Sequence, residues 1–129
     1  MVDKISSWKY TEEFINESEP ITRARMRAEE LGIECITASV GSHLAVLASA
    51  TGAKAIVEAG TGTGVSGLWL LAGAPNAVLA SIDVEPEHQA AAKVAFGEAK
   101  IPLARTRVIS GRAIDVMSNM ADAAYDLVF

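Results

Sequence analysis

Three glycines spaced two apart follow a short apolar run in Val57-Glu-Ala-Gly-Thr-Gly-Thr-Gly64. Gly60, Gly62 and Gly64 allow backbone conformations closed to residues with a Cβ, and they let a ligand lie directly against the main chain. The run before them reads as a strand and Val65 onward as a helix, so the free N–H groups and positive dipole end of that helix face the same point. Such a point receives a carboxylate or a phosphate. About twenty residues past the last glycine, Ile82-Asp83 closes a second apolar run, and a carboxylate there can accept two hydrogen bonds from a ribose diol. Together the two features point to a nucleotide or nucleoside cofactor.

Two cofactor classes fit. Gly62-Thr-Gly-Val-Ser-Gly67 satisfies G-x-G-x-x-G, the dinucleotide fingerprint of nicotinamide- and flavin-dependent oxidoreductases. Glu58 stands against that reading, because a carboxylate at the strand end repels a pyrophosphate and attracts a cation such as the ammonium and sulfonium of S-adenosylmethionine. Each residue also has a plainer role open to it. Glu58 can serve nearby backbone N–H groups, Asp83 can cap the turn before Pro86, and Ser66 can be a first-turn helix residue without a ligand. Leu68, Trp69 and Leu71 are expected in the core. His43 and His88 have no evident Asp or Ser partner of the kind a triad needs, so surface or packing roles are expected.

The elements that must hold these residues follow from pattern. Ser6 to Ile15, Ile21 to Leu31 and a segment from Gly41 or Ser42 through Ala50 read as helices, with Pro20 near the start of the second and Gly32 and Gly52 as stops. Arg23 and Arg27 share a face of the second helix and Arg25 stands at ion-pair spacing from Glu29, which reads as a solvated face. From Lys54 short apolar runs alternate with helices: strands at 55–59, 78–82 and 106–110, helices at 65–72, 86–99 and 113–120, and a strand beginning at Tyr125. That alternation builds an α/β fold, a parallel sheet with right-handed crossovers and helices on both faces, here a Rossmann-like half. The expected division is a helical extension over 1–52 and a cofactor-binding half over 53–129. Tyr125-Asp-Leu-Val-Phe129 reads as the first part of a buried strand left with an open edge, so the chain is expected to be a truncated N-terminal piece of a longer parent; the alternative is a real short edge strand.

Composition narrows the partners. The 129 residues carry 16 acidic and 11 basic side chains, a formal charge of −5, which disfavours a nucleic-acid partner because phosphate binders carry a basic excess. Cys35 is the single cysteine, so neither an internal disulfide nor a zinc set of cysteines is available, and a reducing, cytoplasmic setting is expected. The N-terminus lacks the basic region and apolar run of a signal peptide. Despite a mean hydropathy of +0.27, Lys54 and Glu58 interrupt the longest apolar stretch, and no membrane span is expected.

Glu58-Ala-Gly-Thr-Gly-Thr-Gly64 resembles the first motif of the S-adenosylmethionine-dependent methyltransferases with a Rossmann-like fold, an acidic residue followed by x-G-x-G-x-G. With Ser66 and Leu68-Trp69-Leu70 after it, Ser81-Ile-Asp-Val-Glu-Pro-Glu-His88, Ser110-Gly-Arg-Ala113 and Tyr125-Asp-Leu-Val-Phe129, residues 36 to 129 are similar to the catechol O-methyltransferase-like branch of bacterial O-methyltransferases. The resemblance implies that Glu58 and the Gly60 backbone hold the methionine moiety, within a loop of Thr61, Gly62 and Gly64, with Ser66 near its carboxylate. Asp83 would take the ribose hydroxyls, Val84 would pack on the adenine, and Arg112 and Ala113 would lie along its edge, the Ala113 N–H meeting a ring nitrogen. Many relatives have Asp where Arg112 stands, which removes a side-chain acceptor for the adenine amino group. Val40 and Gly41 match a pre-helix segment that touches the cofactor from above.

The same resemblance implies transfer of a methyl group to a hydroxyl oxygen of a small molecule by the parent, of which this chain would be the cofactor half, inactive by itself. Catechol-type relatives use a divalent ion, usually magnesium, held by residues after the fourth and fifth strands, and Phe129 precedes those positions. A homodimer is also expected. Beside the oxidoreductase alternative stands a non-catalytic fragment that dimerises through its open strand and N-terminal helices.

Overall fold

The short apolar runs become four parallel strands in the computed structural model, which describes residue 1 and residues 3–129. In chain order the elements are α1 (Lys4–Phe14), α2 (Glu19–Glu30), α3 (Ala38–Ala50), β1 (Ala55–Ala59), α4 (Val65–Gly73), β2 (Val78–Asp83), α5 (Pro86–Glu98), β3 (Thr106–Ser110), α6 (Ala113–Met117) and β4 (Leu127–Val128). The sheet order is β3-β2-β1-β4, all pairs parallel. Register places Glu58 beside Ser81 and Ile56 beside Leu79, so these four side chains share one face.

That face carries the larger core. Ile56 and Leu79 pack with Ile21 and Ala24 of α2, Leu44 and Ala48 of α3, Leu68 and Leu71 of α4 and Phe96 of α5. Val57, Ala80 and Ile82 point to the opposite face, where Ala113, Val116 and Met117 of α6 meet them. Both faces are covered, as the alternation requires. The division expected at residue 52 does not coincide with a gap in packing, because α2 and α3 share one apolar cluster with α4, α5 and the sheet.

Helix ends differ from the sequence reading where a cap intervenes. Thr37 Oγ1 accepts from the Val40 N–H at 3.4 Å and starts α3 at Ala38, so Val40 and Gly41 lie inside its first turns and not in a pre-helix segment. At the other end of the pattern, α6 stops at Met117 and β4 spans only Leu127–Val128. The approach of α3 to α4 depends on Gly73, since a Cβ there would run into the backbone carbonyl of Ala45, and on Gly41, where it would strike the Trp69 ring. Asp126 ties β4 to the start of β1, its Oδ2 accepting from the N–H groups of Lys54 (2.8 Å) and Ala55 (3.0 Å).

Candidate functional site

The strand ends of β1 and β2 open into a cavity of about 330 Å³, within the range of small-molecule sites. It is lined by the loop Ala59 to Thr63 with Val65 and Ser66 of α4, by a wall of Asp83 and His88, by a wall of Ile33 to Ile36, and by Phe129. The loop turns back on itself through positive φ at Gly60 (101°), Gly62 (50°) and Gly64 (92°), the last being the residue at which α4 begins. A Cβ built on Gly60 meets no atom within 4 Å, so bare backbone borders open space at the cavity.

Asp83 organises this loop. Its Oδ2 accepts from the N–H groups of Thr61 (2.9 Å) and Gly62 (3.0 Å), and its Oδ1 from Glu85 N–H (3.0 Å). Burial raises its pKa, yet the three N–H groups and His88 outweigh that effect and hold the carboxyl below its ordinary value. Asp83 therefore faces the cavity as an anion. It also caps the turn before Pro86, the plainer of the two roles left open by the sequence. His88 Nδ1 lies 3.4 Å from Asp83 Oδ2, which corrects the expectation that His88 has no acidic partner. The first turn of α5 folds back over the strand end, and Pro86 starts that helix two residues before the histidine.

Glu58 lies beneath the loop and is fully buried. Its Oε2 accepts from Ser66 Oγ and its Oε1 from Ser81 Oγ, each at 2.7 Å. Burial pushes its pKa up to about 7, aided by the nearby charge of Asp83 and opposed by the two serines. Glu58 is thus a support behind Ser66, and Ser66 is the residue of that pair that borders the cavity. Its partners are hydroxyls and not the backbone N–H groups considered from sequence.

The candidates separate into two sets. Gly60, Thr61, Gly62, Ser66 and Asp83 line the cavity, and Gly64 sits behind them at the helix start, with Ala92 of α5 close against it. Val40 and Val84 are exposed and outside the lining. Arg112 points to solvent near Asp115 Oδ2 (3.7 Å), and Ala113 packs against the far face of the sheet. The sequence reading gave His88 a surface or packing role, quoted Ser81 and Phe129 only within the resemblance, passed over Thr63 between two motif glycines, and had no signal for the wall at Ile33 to Ile36. Ser81 stands two residues before Asp83 on the same strand face.

The missed wall is built by α2. Arg25 donates through Nε and Nη2 to Glu17 (2.8 and 2.6 Å) and through Nη1 to Cys35 Sγ (3.1 Å) and the Ile36 carbonyl (2.8 Å). Trp69 Nε1 donates to the same Glu17 (3.2 Å). Arg25 therefore pairs with Glu17, not Glu29, and Arg27 pairs with Glu98 of α5, so of the three arginines only Arg23 keeps a solvated-face role. Among the described residues, no three acidic, histidine or cysteine side chains come together as a metal site, and no helix is long and apolar enough to cross a membrane.

The stretch that holds the glycine loop, Ser66 and Asp83 lies within the range over which the chain matches known proteins. The family model described as O-methyltransferase matches residues 6–129. The chain belongs to the O-methyltransferase family. A family member from Mycobacterium sp. (strain KMS), named "Putative O-methyltransferase", is 55% identical over 121 residues, which are 93% of this chain and 55% of that protein. The chain thus spans about half the length of the curated relatives it matches. A solved structure from Corynebacterium glutamicum is 34% identical with a TM-score of 0.84, covering 98% of this chain and 61% of that one. The O-methyltransferase from Streptomyces achromogenes involved in tomaymycin synthesis, solved in complex with SAM, shares the fold at a TM-score of 0.84 and 24% identity, covering 99% of this chain and 62% of that one. The α/β sheet described above is accordingly the Rossmann-like methyltransferase fold.

Proposed function

We propose that this chain carries the cofactor half of an S-adenosylmethionine-dependent O-methyltransferase acting on a hydroxyl group of a small molecule. The observation that carries the reading is the junction of the Gly60 to Gly64 loop with the Asp83 carboxylate at the cavity. The residues fit the ligand's parts. Asp83 keeps acceptor capacity on Oδ1, which takes one N–H here, and this suits a ribose hydroxyl. Ser66 and the start of α4 suit the amino-acid end, and Ile33, Ile36 and Phe129 add apolar surface to the lining. Bound there, S-adenosylmethionine supplies a methyl carbon on positive sulfur, open to in-line attack by an oxygen. The chain's own contribution is to hold and orient that carbon.

A divalent ion is part of the expectation for catechol-type relatives, but the described residues offer no ligand set for it. The family match favours methyl transfer over the oxidoreductase alternative. A cytoplasmic setting accords with the unpaired Cys35, and a homodimer accords with the exposed Ile5, Trp8 and Phe14 of α1. Titration calorimetry tests the cofactor: the chain should bind S-adenosylhomocysteine and not NAD, and Asp83→Ala should weaken binding about tenfold or more, as expected when a charged acceptor is lost. Preferential NAD binding would sink the reading.

A further inference from the structure

Below the cavity four polar groups form one connected chain. Ser81 Oγ lies 2.7 Å from Glu58 Oε1 and 2.7 Å from Thr61 Oγ1, and Ser66 Oγ lies 2.7 Å from Glu58 Oε2. Glu58, Thr61 and Ser81 are almost wholly buried. A hydroxyl has a single hydrogen, and Ser81 Oγ is placed to donate it either to Glu58 Oε1 or to Thr61 Oγ1; with Glu58 ionised, the charged acceptor takes it. With Glu58 ionised, Ser66 must likewise spend its hydrogen on Oε2, and only its lone pairs are left for the cavity. With Glu58 protonated on Oε2, the carboxyl donates to Ser66, and the Ser66 hydrogen is released toward the cavity. The first state suits an ammonium group, the second a carboxylate. Ser81 decides where the proton goes, because its donation to Oε1 leaves Oε2 as the site of protonation.

We infer that Ser81 is a positioning residue that acts through Glu58 to set the direction of the Ser66 hydroxyl, and that ligand binding is thereby linked to one proton on Glu58. The inference rests on the S-adenosylmethionine reading of the cavity. The groups that face Glu58 are consistent with such a linkage. From β2 come Ser81 and the anion of Asp83, from α4 Ser66 and Gly67, and from the loop Thr61; α5 brings His88 beside Asp83, and beyond β4 the backbone of Phe129 bonds Val57 and Ala59 on either side of Glu58. Among the described residues no cation pairs with Glu58. Burial together with Asp83 raises its pKa to about 7, so the exchange falls at neutral pH.

Two measurements test this on the 129-residue chain. Carbon-13 NMR of labelled glutamate carboxyls, without ligand, should show one glutamate titrating near neutrality. Ser81→Ala removes a donor to the anion and should move that midpoint upward, while Ser81→Thr restores it. Calorimetry with S-adenosylhomocysteine in buffers of different ionisation enthalpy should show fractional proton exchange at pH 7, lost in Glu58→Gln, and Ser81→Ala should weaken binding about tenfold with a displaced pH profile. An unmoved Glu58 midpoint, with Ser81→Ala weakening binding equally at every pH, leaves Ser81 merely structural and overturns the inference. Binding without proton exchange overturns the inference alone. Failure to bind S-adenosylhomocysteine, with the Glu58 titration as expected, overturns the cofactor reading and the linkage with it.

Discussion

Glu58 and Asp83 stand at the ends of adjacent strands, and their surroundings drive them in opposite directions. Asp83 gains three backbone N–H donors and stays ionised, whereas Glu58 gains two hydroxyls and loses all water. The sign of the pH effect follows for each. The unfolded chain releases the Glu58 proton near its ordinary value of 4.5, while the folded chain holds it to about pH 7. The folded state binds more protons between those limits, so Glu58 contributes stability below pH 4.5 that is lost as pH rises through 7, by about 3 kcal/mol at most. Glu58→Gln should flatten that fall, as thermal melts across pH 4.5 to 8 would show; an unchanged slope would mean the carboxyl is ionised throughout. The depressed Asp83 behaves in the reverse sense, its stabilisation being present above the unfolded pKa and lost in acid as pH falls through the folded one. Asp83→Ala should also speed amide hydrogen exchange at Thr61, Gly62 and Glu85, whose N–H groups it accepts, and unchanged protection there would remove Asp83 as the organiser of the loop.

At the scale of elements, what was legible had a local cause. Pro20, Gly32 and Pro86 punctuate helices by rules that act within a few residues, and the short apolar runs at 55–59 and 106–110 coincide with β1 and β3. What was missed came from distant partners. Arg25 meets Glu17 and the Cys35-Ile36 backbone, a pairing across a helix end that spacing along one helix does not reveal. The cavity wall at Ile33 to Ile36 was invisible for the same reason. Val40, Val84, Arg112 and Ala113 came by resemblance alone, and their placement here depends on where α3, α5 and α6 begin. The α3 and α4 contact yields a paired prediction. Gly73→Ala puts a methyl group into the Ala45 backbone and should cost about 1–3 kcal/mol in denaturant unfolding. Gly97→Ala, in α5 with open space around it, should stabilise by about 0.5–1 kcal/mol, since alanine restricts the unfolded chain and costs nothing here. Equal effects at the two sites would show that helix propensity, not close approach, governs both.

Across the whole molecule, the sheet grows from β1 through β2 to β3 and then returns to the other side of β1 as β4. The cavity lies at the carboxyl ends of β1 and β2, next to that reversal, where open parallel sheets bind ligands. The alternation in sequence announces a parallel sheet but not this return, because strand order is set by where Leu127 finds an apolar partner beside Ile56. The return leaves β4 at the edge. Asp126 fixes its start to β1, yet its outer backbone has no strand partner among the described residues, and Val128 and Phe129 are 62% and 43% exposed. Exposed apolar edges recruit other strands. The 129-residue chain should therefore associate with rising concentration, and Val128→Lys, which places a charge on the face lined by Met117, Met120 and Tyr125, should weaken that association. Light scattering of Val128→Lys beside Trp8→Glu on α1 separates the two surfaces. Loss of association only in Trp8→Glu would assign it to the helices and refute the edge prediction.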